Sequence, residues 1–205
     1  NSVWGLAKHS AGLSITFFTN SPKIEVRYET ISTSYAMPHV PSTGVSGVDM
    51  YRIDEEGVCD YVAPNRYIFG DNVTYRYHDL PATPRHGLGY EYRVYLPLYN
   101  GVKTLEIGVD EGSYFRFAPT SEEKPIMLYG TSIAQGGCAA RPAMAWSTIL
   151  QRALDLPLVN LGFSGNGPME TEVLDFIVET DARLFILDCY PNMTGMLQNV
   201  YPRTL

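Results

Sequence analysis

From Leu13 to about Val109 the pattern is β, in short runs whose apolar residues recur at every second position, as in strands with one buried face. Leu13–Phe18 and Lys23–Tyr28 both alternate, and the Thr-Asn-Ser-Pro segment between them reads as the turn of a hairpin. Val48–Ile53 and Gly57–Val62 flank Asp54-Glu55-Glu56 and predict a second hairpin. Val73–Tyr77, Tyr90–Leu96 and Lys103–Val109 add three more strands, and Asn100-Gly101 is a strong turn signal. Seven or eight short strands with turns between them predict a β-sandwich or jelly roll, uninterrupted by any helix-period segment.

After the polar, proline-bracketed stretch Pro119–Pro125 the grammar changes. Ile126–Tyr129, Leu156–Leu161 and Arg183–Cys189 are short, nearly continuous apolar runs, as strands covered on both faces require. Pro142–Leu154 and Pro168–Thr180 between them predict helices, each opened by a proline whose missing N–H costs nothing in a first turn. Strand–helix–strand–helix–strand predicts parallel pairing through right-handed crossovers. The expected organisation is two domains: an all-β sandwich or jelly roll over residues 1–119, a linker over 120–125, and the first part of an α/β domain over 126–205. Three strands and two helices leave sheet edges unprotected, and the chain opens without a methionine; both predict a piece of a longer polypeptide, from which a leader could have been removed.

The formal net charge of −7 argues against a nucleic-acid partner, which would want a basic face. No apolar run approaches the roughly 20 residues of a membrane helix, and no signal peptide is visible. Three cysteines (Cys59, Cys138 and Cys189) are too few and too oddly spaced for a disulfide framework or a zinc site, so buried free thiols are expected, although Cys138 and Cys189 both follow strand ends and could lie near each other.

The chemistry-bearing stretch is Ile126–Gly137, in which an apolar run ends at Gly130, Thr131-Ser132 follows, and Gly136-Gly137 closes the loop. A serine after a strand is most often a turn or cap residue. Two further loops raise its interest: Asn160–Gly167 follows the second strand and Asp188–Met193 the third. Parallel strands put all three at one sheet edge, where open α/β sheets bind ligands. A nucleophilic Ser132 there would need donors for an oxyanion, and the N–H of Ser132, the N–H of Gly165 and the side-chain amide of Asn192 are the candidates, each such donor being worth about 3 kcal/mol in a transition state.

Ser132, Gly165 and Asn192 on successive βα loops resemble the first three sequence blocks of the SGNH (GDSL-like) hydrolases, whose α/β domain is flavodoxin-like. Gly47-Val48-Asp49-Met50-Tyr51 is similar to the Gly-x-Asp-Leu-Tyr signature of a subgroup with an N-terminal β-sandwich, with Met in place of Leu. The resemblance implies ester hydrolysis without a cofactor through an acyl-enzyme on Ser132, with Gly165 and Asn192 holding the oxyanion. It also implies small acyl esters, acetylated carbohydrates among them, as substrates, and a periplasmic or secreted location. Gly130-Thr131-Ser132 departs from the usual Gly-Asp-Ser, and the family's Asp-x-x-His block is absent: none of His9, His39, His78 and His86 has an aspartate three residues before it. The general base is therefore expected beyond residue 205, with His78 or His86 reaching across the domain interface as the lesser alternative. Asp49 and Tyr51 are expected to be structural at the domain contact, Asp188 structural at its strand end, and the tyrosines and tryptophans mainly sandwich core. Two rivals stay open: an acyltransferase with the same site, and an inactive carbohydrate-binding or scaffold protein.

Overall fold

The structure, a computed structural model, describes residues 2–81 and 89–196. The first part of the chain forms β1 (Ser14–Thr19), β2 (Ile24–Thr30), β3 (Asp49–Ile53), β4 (Cys59–Val62), β5 (Val73–Tyr77), β6 (Tyr90–Tyr95), β7 (Val102–Val109) and β8 (Phe115–Phe117). Two short helices, α1 (Ser2–Leu6) and α2 (Ser42–Val45), and the three-residue β8 have no counterpart in the periodic pattern, being too short to display one. The strands make two antiparallel sheets, β4-β3-β6-β1-β8 and β5-β2-β7. Phe17, Met50, Tyr92 and Val94 of the first sheet and Ile24, Val26, Tyr28, Tyr75 and Tyr77 of the second share one buried cluster, so the two sheets face each other as a sandwich. Tyrosine is a large part of this core. Tyr28 donates to the Ser46 carbonyl (2.8 Å) and Tyr75 to the Ile68 carbonyl (3.1 Å), which satisfies hydroxyls that burial would otherwise leave without water. Both tryptophans, by contrast, lie outside it: Trp4 is 70% and Trp146 37% exposed.

The hairpin expected from Leu13–Phe18 and Lys23–Tyr28 does not form. β1 pairs with β6 and β8, while β2 pairs with β5 and β7. The connecting turn crosses from one sheet to the other, with Thr19 and Ser21 buried: the Thr19 hydroxyl accepts from the Ser21 N–H (3.1 Å), and the Ser21 hydroxyl accepts from the Asp110 N–H (3.1 Å). Alternation reports that a strand has a buried face, and two strands facing across a core alternate as cleanly as two that pair. The β3–β4 hairpin forms as expected.

The second part forms β9 (Ile126–Gly130), α3 (Ser132–Gln135), α4 (Trp146–Leu154), β10 (Leu158–Gly162), α5 (Thr171–Val178) and β11 (Leu184–Asp188). The three strands are parallel in the order β10-β9-β11. Central β9 is buried throughout; on edge strand β11, however, Leu184, Phe185 and Leu187 are exposed, so coverage of both faces holds for the centre and not for that edge. The helix expected over 142–154 is broken. Pro142–Met144 is a 3-10 turn and Ala145 is extended (φ −61°, ψ 138°) before α4 begins.

The break coincides with the contact between the two parts. Asp49 at the start of β3 is buried, and its carboxylate accepts the Ala143 N–H (3.1 Å) while Arg141 stands 3.7 Å away. The Arg141 guanidinium lies 3.8 Å from the centre of the Tyr61 ring and that of Arg152 4.5 Å from the centre of Tyr51. Asp49 and Tyr51 thus sit at the contact, as the sequence leads one to expect. Residues near the N-terminus also touch the second part: Val3 and Leu6 pack on the cluster of Tyr129, Phe163 and Ile177.

Burial pushes the Asp49 carboxyl up to about 6, against the pull of the Arg141 guanidinium, the Ala143 N–H and the Arg152 guanidinium. A carboxyl raised on folding holds its proton more firmly in the folded chain than in the unfolded one. Its contribution to stability is therefore complete below its unfolded value, near 4, and is lost as pH climbs through about 6. Asp49→Asn is expected to reduce the fall in stability between pH 4 and pH 7 by about 2 kcal/mol, read by urea denaturation at both pH values. Parallel pH profiles for parent and variant would place that proton elsewhere.

Candidate active site

Parallel register puts Gly162 of β10, Gly130 of β9 and Asp188 of β11 on one level. The three candidate loops leave the sheet from this line. With order β10-β9-β11 the chain passes to opposite sides of β9, so the gap between the ends of β9 and β11 is the topological switch point, where ligands of open α/β sheets bind.

Ser132 is half-buried and is the first residue of α3, directly after β9; the first helix starts at the serine itself, ten residues before the one expected from the sequence. The buried Thr131 hydroxyl accepts the Ile133 N–H (3.3 Å) and caps this helix. Thr does here the capping that Asp would do in a Gly-Asp-Ser sequence. The Ser132 carbonyl accepts from Gly137 N–H (2.7 Å) and from the Tyr99 hydroxyl (3.3 Å).

The second loop is clamped from several sides. Phe163 N–H donates to the Gly130 carbonyl (2.9 Å), Ser164 N–H to the Gln135 side-chain oxygen (2.8 Å) and Gly167 N–H to the Glu170 carboxylate (3.2 Å). Glu170 is held in turn by a hydrogen bond with the Tyr129 hydroxyl. Gly165 is exposed with φ +71°, and a Cβ there would meet nothing within 4 Å, so its backbone conformation rather than crowding by protein favours glycine. Among the described residues, the N–H groups of Ser132 and Gly165 donate to no protein acceptor.

The third loop is seated by buried Cys189 and Met193, and Pro191-Asn192 lies on the short 3-10 turn Tyr190–Asn192 between them. The Asn192 side-chain amide donates to the Asn166 carbonyl (2.6 Å), which joins the third loop to the second. Ser132, Gly165 and Asn192 therefore stand on three mutually bonded loops at one sheet edge. Asp188 accepts the Thr131 N–H with its carbonyl (3.2 Å); burial raises its carboxyl, and one carboxyl oxygen has no partner among the described residues.

Sequence reasoning passed over Gln135, Tyr99 and His9. Gln135 is fully buried and donates to the Leu98 carbonyl (2.9 Å) and to His9 Nδ1 (3.0 Å). An amide side chain following the apolar pair Ile133-Ala134 is the only sign of it along the chain; that Tyr99 and His9 lie near it is a long-range fact no local pattern carries. Burial lowers the His9 imidazole and raises the Tyr99 hydroxyl. His39 and His78 are exposed and make no hydrogen bond to Ser132, and His86 lies outside the described residues. All three cysteines are free; Cys189 is buried as expected, Cys59 partly so, and Cys138 is exposed. Among the described residues no group of three His, Cys, Asp or Glu side chains could hold a metal, and no helix is long and apolar enough to cross a membrane.

Residues 1–115 match the family model of the GxDLY N-terminus of SGNH-hydrolase-type esterases, and residues 123–205 match that of the GDSL-like lipase/acylhydrolase family. A crystal structure from Bacteroides ovatus described as a GDSL-like lipase is similar at 36% identity and TM-score 0.82, over 93% of this chain and 55% of that one. A salicylyl-acyltransferase from a tetracycline biosynthetic pathway shares the fold at 21% identity and TM-score 0.70, over 95% of this chain and 51% of that one. A family two carbohydrate esterase from Clostridium thermocellum, solved with cellohexaose, does so at 15% identity and TM-score 0.50, over 78% and 47%. The chain thus spans about half the length of these solved relatives. No curated protein matches it.

The glycines of the second loop separate two kinds of constraint. A Cβ at Gly162 would stand 2.1 Å from the Gln135 backbone nitrogen, which nothing can accommodate without moving α3. Gly162→Ala is expected to destabilise by roughly 3 kcal/mol or more, against about 1 kcal/mol for the φ penalty of Gly165→Ala. Thermal unfolding of the two variants measures this, and equal shifts would refute the close packing of α3 on β10.

Proposed function

Since the chain belongs to the GDSL-like (SGNH-type) hydrolase family and carries its GxDLY N-terminal region, we propose that the protein is a serine esterase acting through Ser132. The reading takes residues 1–119 as a sandwich unit and 126–205 as part of the flavodoxin-like catalytic unit. The observation that supports it most is the pair of unengaged N–H groups, on Ser132 and Gly165, on loops that also hold Asn192.

In this reading the Ser132 hydroxyl adds to the ester carbonyl. The carbonyl oxygen takes the negative charge and is met by the N–H of Ser132, the N–H of Gly165 and the Asn192 amide. An amide has two N–H donors, so the one given to Asn166 leaves a second for the substrate. Collapse of the tetrahedral adduct expels the alcohol and leaves an acyl-enzyme, which water then hydrolyses. The hydroxyl proton requires a base, and we assign it to a histidine of the family's Asp-x-x-His segment, which no stretch of residues 1–205 supplies. His9 is half-buried, gives its Nδ1 to Gln135 and makes no hydrogen bond to Ser132. Small acyl esters, acetylated carbohydrates among them, are the proposed substrates, the carbohydrate esterase likeness being one of fold. A second reading, acyl transfer from the same acyl-enzyme, differs only in the acceptor that replaces water; the salicylyl-acyltransferase of similar fold keeps it open.

Hydrolysis of p-nitrophenyl acetate by the natural-length protein, beside Ser132→Ala and Asn192→Ala, tests the proposal. Ser132→Ala is expected to abolish turnover, and Asn192→Ala to lower kcat by about a hundred- to a thousandfold, the cost of one oxyanion donor. Turnover that survives Ser132→Ala would overturn the assignment. Added sugar or alcohol that captures the acyl group in preference to water would favour transfer.

A further inference from the structure

The oxyanion donors are useful only if the Gly165 N–H is held still, yet Gly165 itself is an exposed residue at the tip of its loop. Ser164, the residue before it, is held within the loop by the Asn166 amide, which donates to its carbonyl (3.2 Å), and from α3 by the Gln135 side chain. Ser164 N–H donates to Gln135 Oε1 at 2.8 Å. That bond orients the amide, because a backbone N–H can only meet the oxygen. The Gln135 Nε2 must then face Leu98 O (2.9 Å) and His9 Nδ1 (3.0 Å), and His9 Nδ1 must be the acceptor, its proton being on Nε2. The two polar atoms of a completely buried side chain thus engage three separate stretches of chain: Oε1 the second loop, and Nε2 both the segment after β6 and the segment after α1. Gln135 is also the last residue of the helix that begins with Ser132, and its own N–H donates to Thr131 O (3.1 Å).

We propose that Gln135 is a positioning residue for the Ser132 reaction: it locks the Ser164–Gly165 backbone to the helix carrying the nucleophile and secures both to the N-terminal half through Leu98 and His9. The proposal rests on the esterase reading. It gives the N-terminal half a part in catalysis, as the anchor of the oxyanion loop rather than as a binding surface. It also accounts for Gly162, whose missing side chain lets the Gln135 backbone lie directly on β10.

The test uses the natural-length protein and two readouts, steady-state hydrolysis of p-nitrophenyl acetate and hydrogen exchange at the Ser164 and Gly165 amides. Gln135→Met fills the same space without polar atoms. It is expected to lower kcat by about ten- to a hundredfold, less than outright loss of a donor, with KM within about twofold. Exchange at Ser164 should quicken. Gln135→Glu keeps the acceptor oxygen and should recover part of both losses, which a purely structural role would not predict for a buried carboxylate. A folded Gln135→Met protein with parental kcat, or with unchanged Ser164 exchange, overturns the proposal. Should Gln135→Met fail to fold, His9→Ala removes one of the three partners from outside the catalytic loops. A two- to fivefold fall in kcat with faster Ser164 exchange supports the anchor, and parental values for both refute it. Failure of the esterase reading is seen separately, as turnover that survives Ser132→Ala; the exchange data then decide whether Gln135 holds the loop.

Discussion

A Cβ at position 162 would stand 2.1 Å from the Gln135 nitrogen, one at 167 would stand 2.3 Å from the Gly130 carbonyl oxygen, and one at 130 would stand 2.6 Å from the Asp188 carbonyl oxygen. At these three places backbone lies on backbone. The close approach lets the ends of β10, β9 and β11 draw together and lets the second loop fold back over the turn that carries Ser132. The bonds Phe163 N–H to Gly130 O and Thr131 N–H to Asp188 O could not form across a bulkier residue. The site is accordingly built mainly of main chain, and side chains such as Gln135, Glu170 and Asn192 serve to fix that main chain.

Two of the polar contacts that join the two halves of the described chain differ in kind. One is Asp49 with Arg141 and the Ala143 N–H, a buried charge whose desolvation the arginines only partly offset. It orders the segment between α3 and α4 by taking the N–H of a residue that would otherwise continue a helix. The other is Gln135 with Leu98 and His9, a neutral amide with every polar atom engaged. The first lies where the chain leaves its 3-10 turn for α4, and the second reaches the loops that follow β9 and β10. An Asp on an early strand and a Gln three residues after Ser132 thus tie the first half of the chain to the loops at the edge of the parallel sheet.

Much of the fold was legible along the chain. The change from period two to alternating strands and helices and the three polar loops at one sheet edge follow from local composition, and the loops carry the candidates Ser132, Gly165 and Asn192. What misled was also local. Leu13–Phe18 and Lys23–Tyr28 read as a hairpin because alternation marks a buried face without naming the partner strand. Pro142–Leu154 read as one helix because a proline at a first turn is normal, and nothing nearby shows that Asp49, almost a hundred residues earlier, claims the Ala143 N–H.

The sequence by itself determined every strand longer than the three-residue β8, that the later ones pair in parallel, and therefore that their polar ends share one edge, since strand periodicity and chain connectivity are local properties. Tertiary structure alone decided which sheet each early strand joins, where the helices after β9 begin, and which distant residues grip the loops. Those outcomes depend on contacts such as Gln135 with His9 or Asp49 with Ala143, whose partners are separated by far more chain than any sequence pattern spans.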